Sequence, residues 1–116
     1  MKALLMLVRL TWVIGLALGI YIWTGHGYAM LSPHIGLGFT TTFLMLILAI
    51  WAGTRGCWRP AVIAIVFALL LPVVGFGQLH WMPGPQHWVV RAFHVIIGVA
   101  ALGAVEALVA RATRTA

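Results

Sequence analysis

The chain has few of the residues from which most catalytic sites are built. It contains neither Asp nor Asn, and Glu106 is its only acidic residue. A pair of carboxylates for general acid–base chemistry is therefore excluded, and so is a Ser-His-Asp triad. Lys2 is the only lysine, and it lies next to the N-terminus. A Schiff base between a lysine and a ligand buried within the protein is therefore excluded. The single cysteine, Cys57, excludes an intramolecular disulfide and a CxxC redox or metal motif.

Charge is also scarce. Charged residues make up 7% of the 116 residues, whereas hydrophobic residues make up 64%. Soluble domains usually carry about 25% charged residues, so this composition indicates an integral membrane protein. The net charge is +6, but the basic residues are spread between apolar runs rather than clustered with polar neighbours. That distribution excludes a typical nucleic-acid-binding patch, and we expect membrane lipid as the surroundings.

Four apolar runs are each close to the roughly 20 residues that cross a bilayer as a helix. They cover about residues 3–23, 34–53, 60–80 and 87–110, and the second can begin one turn earlier. Arg9 interrupts the first run and no small-residue cleavage pattern follows, so we interpret it as a retained span rather than a signal peptide. The connections are short and rich in Gly and Pro, which suits neighbouring antiparallel helices. The predicted fold is an all-α, up-down-up-down four-helix bundle, a single membrane domain over residues 1–116.

The basic residues predict how this bundle is oriented. Five of them lie at the two ends of the chain or in the second connection: Lys2, Arg55, Arg59, Arg111 and Arg114. Four spans put these three places on one side, which the positive-inside rule assigns to the cytoplasm. Both termini are therefore predicted to be cytoplasmic, in a plasma membrane of the bacterial inner-membrane type.

All the histidines fall on the opposite, outer side in this orientation. The five are His26, His34, His80, His87 and His94. His34 lies 21 residues before Arg55, and His80 lies 21 residues after Arg59. Either separation corresponds to roughly 31 Å along a helix, and the 17 residues from His94 to Arg111 correspond to roughly 25 Å. These three imidazoles are therefore expected at similar depth on three different helices.

Two of the histidines share a local pattern, a glycine four positions later, in "HIGLG" (34–38) and "HVIIG" (94–98). An ionisable residue within a span is costly and usually has a functional role, and neither histidine has a carboxylate nearby. Haem iron is a partner that neutral imidazole can ligate without one. A haem on a helical histidine would press on the next turn, where Gly38 or Gly98 would leave room. We therefore predict haem b with His34 and His94 as axial ligands and His80 as the alternative ligand.

Further residues near the predicted outer edge fit this prediction. Arg91 is the one basic residue expected on the outer side, three positions from His94. It is either an interfacial arginine that snorkels to the lipid headgroups or a partner for the haem propionates. Three more glycines would widen the same zone: Gly36, Gly75 and Gly77. Gln78, Trp81 and Trp88 could line a quinone or small-molecule site.

With "HIGLG" and "RAFHVIIG" on separate spans, the chain resembles the small membrane b-type cytochromes, the cytochrome b561-like group of four-helix bundles. The resemblance implies haem b between histidines of different spans and electron transfer with quinol, oxygen species or another redox partner, an oxidoreductase role. The chain departs from the two-haem pattern, because no histidine lies on the cytoplasmic half. One haem is expected, and a second would have to use His26, His80 or His87.

Two other functions remain open on the sequence. The outer histidines could hold copper or zinc, with Met30 and Met82 available as thioether ligands for copper. The chain could also be a structural or assembly subunit whose polar residues only fix helix packing.

Glu106 lies five residues inside Arg111, and Arg9 lies a similar distance inside the first span. An unpaired charge in the hydrocarbon is costly, so we predict that Arg9 and Glu106 form a structural ion pair. This pair requires the first and fourth helices to be neighbours. A proton relay through Glu106 is the alternative, but it has no second titratable partner in that half of the chain.

Overall fold

A computed structural model describes residues 1–115, in which the chain forms four long α-helices. They are α1 (Lys2–Trp23), α2 (Leu31–Thr54), α3 (Trp58–Gly77) and α4 (His87–Arg114), and a 3-10 turn at Tyr28–Met30 precedes α2. Each of the four is long and apolar enough to cross a membrane. The predicted all-α, four-helix fold is confirmed, and the four candidate spans support a multi-pass membrane protein.

The helix boundaries correct one expectation about the histidines. α3 ends at Gly77, so His80 lies in the turn that follows it and not on the helix. The backbone N–H groups of His80 and Trp81 both donate to the Gly77 carbonyl, at 3.0 and 2.8 Å. The Trp81 ring also lies directly against Gly77, a contact that any side chain at this position would prevent. This local packing ends α3 before His80, about one turn earlier than the hydrophobicity suggests.

Consecutive helices pack against each other as antiparallel neighbours, and α4 also contacts α1 and α2. Arg9 of α1 donates to Glu106 of α4 through two nitrogens, Nε to Oε1 at 2.6 Å and Nη2 to Oε2 at 2.9 Å. Such a two-pronged contact is the strong form of an arginine–carboxylate pair. The predicted ion pair and the predicted proximity of the first and fourth helices are both confirmed.

We call the half of the bundle that contains Arg9, Glu106 and the α2–α3 connection the terminal half. The half with the α1–α2 and α3–α4 connections is the histidine half. The larger hydrophobic core occupies the terminal half, where the largest fully buried side chains include Met45, Leu48 and Leu108. A smaller cluster of Leu71, Val74 and Ile97 lies in the histidine half. Alanines without solvent exposure come from three helices: Ala49, Ala52, Ala61, Ala64, Ala68, Ala101 and Ala112. Small residues at such contacts let membrane helices approach closely.

Two polar contacts lie near the boundary between the halves. Pro72 lies inside α3 and has no N–H, so it cannot make the usual helical bond to the carbonyl of Ala68. The Thr42 hydroxyl of α2 donates to that carbonyl instead, at 3.4 Å. Trp12 of α1 donates its indole N–H to the Gly98 carbonyl of α4 at 2.9 Å. These bonds join α1 to α4 and α2 to α3 on the side of the histidines that faces the terminal half.

Candidate functional site

The histidine half contains a cavity of about 400 Å³ between the four helices. Its volume lies within the about 300–1,000 Å³ typical of small-molecule sites. The wall includes four of the five histidines, one arginine and several glycines: His34, His80, His87, His94, Arg91, Gly15, Gly19, Gly38, Gly75 and Gly98. Most of the residues singled out in the sequence are thus brought together around one space.

His34 of α2 is held in place by α1. Its Nδ1 lies 2.9 Å from the Gly15 carbonyl oxygen. Because a carbonyl only accepts hydrogen bonds, His34 must carry its proton on Nδ1, which leaves the Nε2 lone pair free. The ring also lies on Gly19, since a Cβ there would be 3.0 Å from the His34 Cε1. Histidines that ligate metals commonly donate their second ring N–H to a carbonyl in this way.

His94 of α4 lies against α3 in a similar way. A Cβ on Gly75 would be 3.1 Å from the His94 Cε1, so this glycine makes room for the ring. The His94 Nδ1 has no hydrogen-bond partner, and it is the one such buried side-chain nitrogen or oxygen within residues 1–115. A buried polar atom without a partner is unfavourable, and in native proteins it is explained by local strain, by a catalytic or redox role, or by a bound water or ion.

The two imidazoles are close to each other. Their ring centroids are 6.2 Å apart, and their planes meet at 72°. Two imidazoles bound to one metal ion through metal–nitrogen bonds of about 2 Å have centroids roughly 6 Å apart. The spacing of His34 and His94, the free His34 Nε2 and the adjoining cavity all fit a metal held between the two rings.

The two glycines of the repeated pattern differ in their surroundings. No atom of a neighbouring group lies within 4 Å of where a Cβ on Gly38 would be, so this part of the wall is open. A Cβ on Gly98 would instead lie 3.5 Å from both Leu71 Cδ1 and Trp12 Nε1. Gly98 is thus packed at ordinary contact distance against the indole whose N–H binds its carbonyl, and this differs from the open face expected there.

The remaining histidines do not join this pair. His26 lies outside the cavity wall, stacked on Tyr21 at 5.1 Å between centroids, with its Nδ1 2.9 Å from the Thr24 hydroxyl. His87 donates from Nδ1 to the Trp81 carbonyl at 3.2 Å, which ties the start of α4 to the preceding turn. Across residues 1–115, no three His, Cys, Asp or Glu side chains are placed to share one metal ion.

One face of α4 carries the polar residues of the wall. His87, Arg91, His94 and Gly98 follow one another at intervals of three or four residues, and all of them line the cavity. Residues with this spacing lie on one side of a helix, so Arg91 is placed between the α3–α4 connection and His94. Gln78 and Trp81 line the cavity too, whereas Trp88 lies outside its wall and is 58% exposed.

Sequence reasoning missed how the histidines are held. Gly15 and Gly19 form a GxxxG pattern that indicates close helix packing, but in the structure they hold the His34 ring. Gly75 was expected to widen the zone, and its specific contact with His94 was not foreseen. The GxxxG pattern was the available signal, whereas a hydrogen bond to a backbone carbonyl leaves no trace in the residue types.

No protein-family model, curated protein or solved structure matches this chain. The site is therefore defined by its own geometry: two imidazoles from different helices, 6.2 Å apart, beside an open cavity.

Proposed function

We propose that this protein is a membrane b-type cytochrome that carries electrons through one haem b, held by His34 and His94. The observation that carries the proposal is the convergence of these two rings, 6.2 Å apart, on a cavity in an otherwise apolar bundle. Burying imidazoles at membrane depth without carboxylate partners is costly, and a shared iron atom gives both rings a partner.

Several residues of the wall have a part in this proposal. His34 presents Nε2, because its Nδ1–H is bound to the Gly15 carbonyl. Gly38 would leave space for a flat ring system, and Arg91 would offer a positive charge to the anionic propionates. A haem held by two imidazoles supplies reversible one-electron transfer.

The proposal includes an orientation. By the positive-inside rule, the terminal half faces the cytoplasm and the cavity lies near the outer face of a bacterial-type plasma membrane. The electron donor is quinol from the bilayer or a diffusible reductant such as superoxide. Gln78 and Trp81, which line the cavity, are the candidate contacts for a quinone.

The copper or zinc alternative has less support. Zinc sites use three or four protein ligands, and within residues 1–115 no such group of histidine, cysteine or acidic side chains is assembled. Met30 and Met82, the candidate thioether ligands, lie outside the cavity wall. A two-histidine site suits a haem, because the porphyrin supplies the other four ligands.

An absorption spectrum of the purified protein supplied with haem b tests the proposal. We expect a sharp α band after reduction, the signature of a low-spin haem with two imidazole ligands. His34→Ala and His94→Ala should each remove this spectrum, whereas the matched control His26→Ala should retain it. A protein that takes up no haem would overturn the proposal, and a full low-spin spectrum in His94→Ala would overturn the assignment of the ligands.

A further inference from the structure

We infer that the two histidines are unequal ligands: His34 is the fixed one, and His94 is the exchangeable one, which gives way to a small neutral molecule. The inference rests on the proposed function. The inference adds that a small molecule can reach the haem iron, which electron transfer alone does not require.

The two histidines are positioned by equivalent contacts, which makes their difference informative. Each ring lies on a glycine of the preceding helix, Gly19 of α1 for His34 and Gly75 of α3 for His94. A Cβ on either glycine would meet the Cε1 of its histidine at nearly the same distance, 3.0 and 3.1 Å. The α1–α2 and α3–α4 helix pairs therefore present their imidazoles in the same manner.

The two sites differ one helical turn before these glycines, on α1 for His34 and on α3 for His94. Four residues before Gly19 is Gly15, whose carbonyl oxygen lies 2.9 Å from the His34 Nδ1. Four residues before Gly75 is Leu71, whose side chain reaches towards Gly98, with Cδ1 3.5 Å from the position of a Cβ there. Unlike the His34 Nδ1, which is bonded to the Gly15 carbonyl, the His94 Nδ1 has no hydrogen-bond partner.

The missing hydrogen bond has a consequence for ligand strength. A carbonyl that accepts from Nδ1–H fixes the tautomer and the ring orientation, and it makes Nε2 more basic. Removing such a partner typically costs about 10–100-fold in metal affinity. His34 has this support, whereas His94 would have to bind through Nε2 with a buried, unpaired Nδ1–H.

Exchange at His94 is simple in chemical terms. With haem bound, the dative bond from the His94 Nε2 to iron would break and one from the incoming molecule to iron would form, with no electron or proton transferred. The wall around His94 includes the apolar residues Leu71, Gly75, Val95 and Gly98. Among the residues that the structure describes, Arg91 is the one charged residue of the wall, and the proposed function assigns its charge to the haem propionates, so this part of the wall suits a neutral diatomic molecule. Carbon monoxide is a suitable probe of this class.

The first test uses the haem-free protein and so does not depend on the proposed function. ¹⁵N NMR of the histidine side chains reports which ring nitrogen carries the proton. We expect His34 in a single Nδ1–H tautomer and His94 in a mixture of tautomers or with its proton on Nε2. The same locked Nδ1–H tautomer for both rings would overturn the inference.

The second test adds carbon monoxide to the reduced, haem-loaded protein. We expect the gas to replace the spectrum of the haem with two imidazole ligands by that of a carbon monoxide adduct, with haem content unchanged. In the matched variants, Gly75→Ala should raise the affinity for carbon monoxide about tenfold at similar haem content, because its methyl group displaces the unsupported ring. Gly19→Ala should instead lower haem content, because it displaces the fixed ring.

The outcomes separate the two proposals. A haem spectrum that is insensitive to saturating carbon monoxide would overturn the exchange at His94 and leave the cytochrome proposal standing. Equal effects of Gly19→Ala and Gly75→Ala would overturn the inequality of the ligands. A protein that takes up no haem would overturn both proposals.

Discussion

The terminal half and the histidine half are made from the same four helices, yet small residues have opposite effects in them. In the terminal half, alanines such as Ala64 and Ala101 are fully buried at helix contacts, around side chains such as Leu48. In the histidine half, glycines make room for imidazole rings or border a cavity of about 400 Å³. A small residue therefore permits close approach, but the facing helix decides whether the space is filled or left open.

The largest expected effect comes from removing packing in the terminal half. Leu48→Ala should lower the free energy of unfolding by about 2–5 kcal/mol, because it leaves a void in a fully buried position. The matched change Leu16→Ala, in the cavity wall, should cost less than about 1 kcal/mol, since this side chain already borders empty space. Reversible unfolding in bicelles measures both values. Equal losses would mean that the two halves are packed alike.

Adding volume at the two patterned glycines should separate folding from cofactor binding. Gly98→Leu should destabilise the protein by about 1–3 kcal/mol, because the new side chain meets Trp12 and Leu71. Gly38→Leu should leave unfolding unchanged while it fills the cavity and abolishes haem uptake. Unfolding measurements and haem content per protein check these outcomes. Normal haem content in Gly38→Leu would show that the open space beside it is not used.

The ion pair of the terminal half is expected to have a smaller effect, because both side chains are more than one-third exposed at the bundle surface. Arg9→Gln or Glu106→Gln alone leaves one unpaired charge at membrane depth, whereas the double change leaves none. Each single variant should therefore be less stable than the double variant in thermal unfolding. Strictly additive losses would contradict coupling. A Glu106→Gln variant of normal stability that transfers no electrons would favour a role in proton transfer instead.

The smallest effect is expected at the boundary between the halves. Trp12→Phe removes the indole N–H that donates to the Gly98 carbonyl and should cost about 0.6 kcal/mol, the average for hydrogen bonds between membrane helices. Trp88→Phe is the matched control, since Trp88 is exposed and lies outside the cavity wall. Unfolding in bicelles compares the two variants. Indistinguishable stabilities would mean that the Trp12 bond does not help to join α1 to α4.

Much of the fold followed from composition and loop length. Four apolar runs joined by short connections can only form adjacent antiparallel helices, and the structure has them at nearly the expected places. The pairing of Arg9 with Glu106 was predictable because the chain has one acidic residue and few charges at that depth. The position of His80 was less predictable, because apolar residues continue past Gly77 and hydropathy does not show where Trp81 folds back.

The candidate site was only partly visible in the sequence. The residue pattern singled out His34 and His94, because an imidazole is conspicuous in an apolar chain, but it paired each with a glycine on its own helix. The tertiary structure places each ring on a glycine of the preceding helix instead, Gly19 and Gly75. It alone decides that His34 finds an acceptor at Gly15 while His94 finds none. The physical reason is that contacts between helices depend on how each helix is rotated about its axis, and a bond to a backbone carbonyl requires no particular side chain.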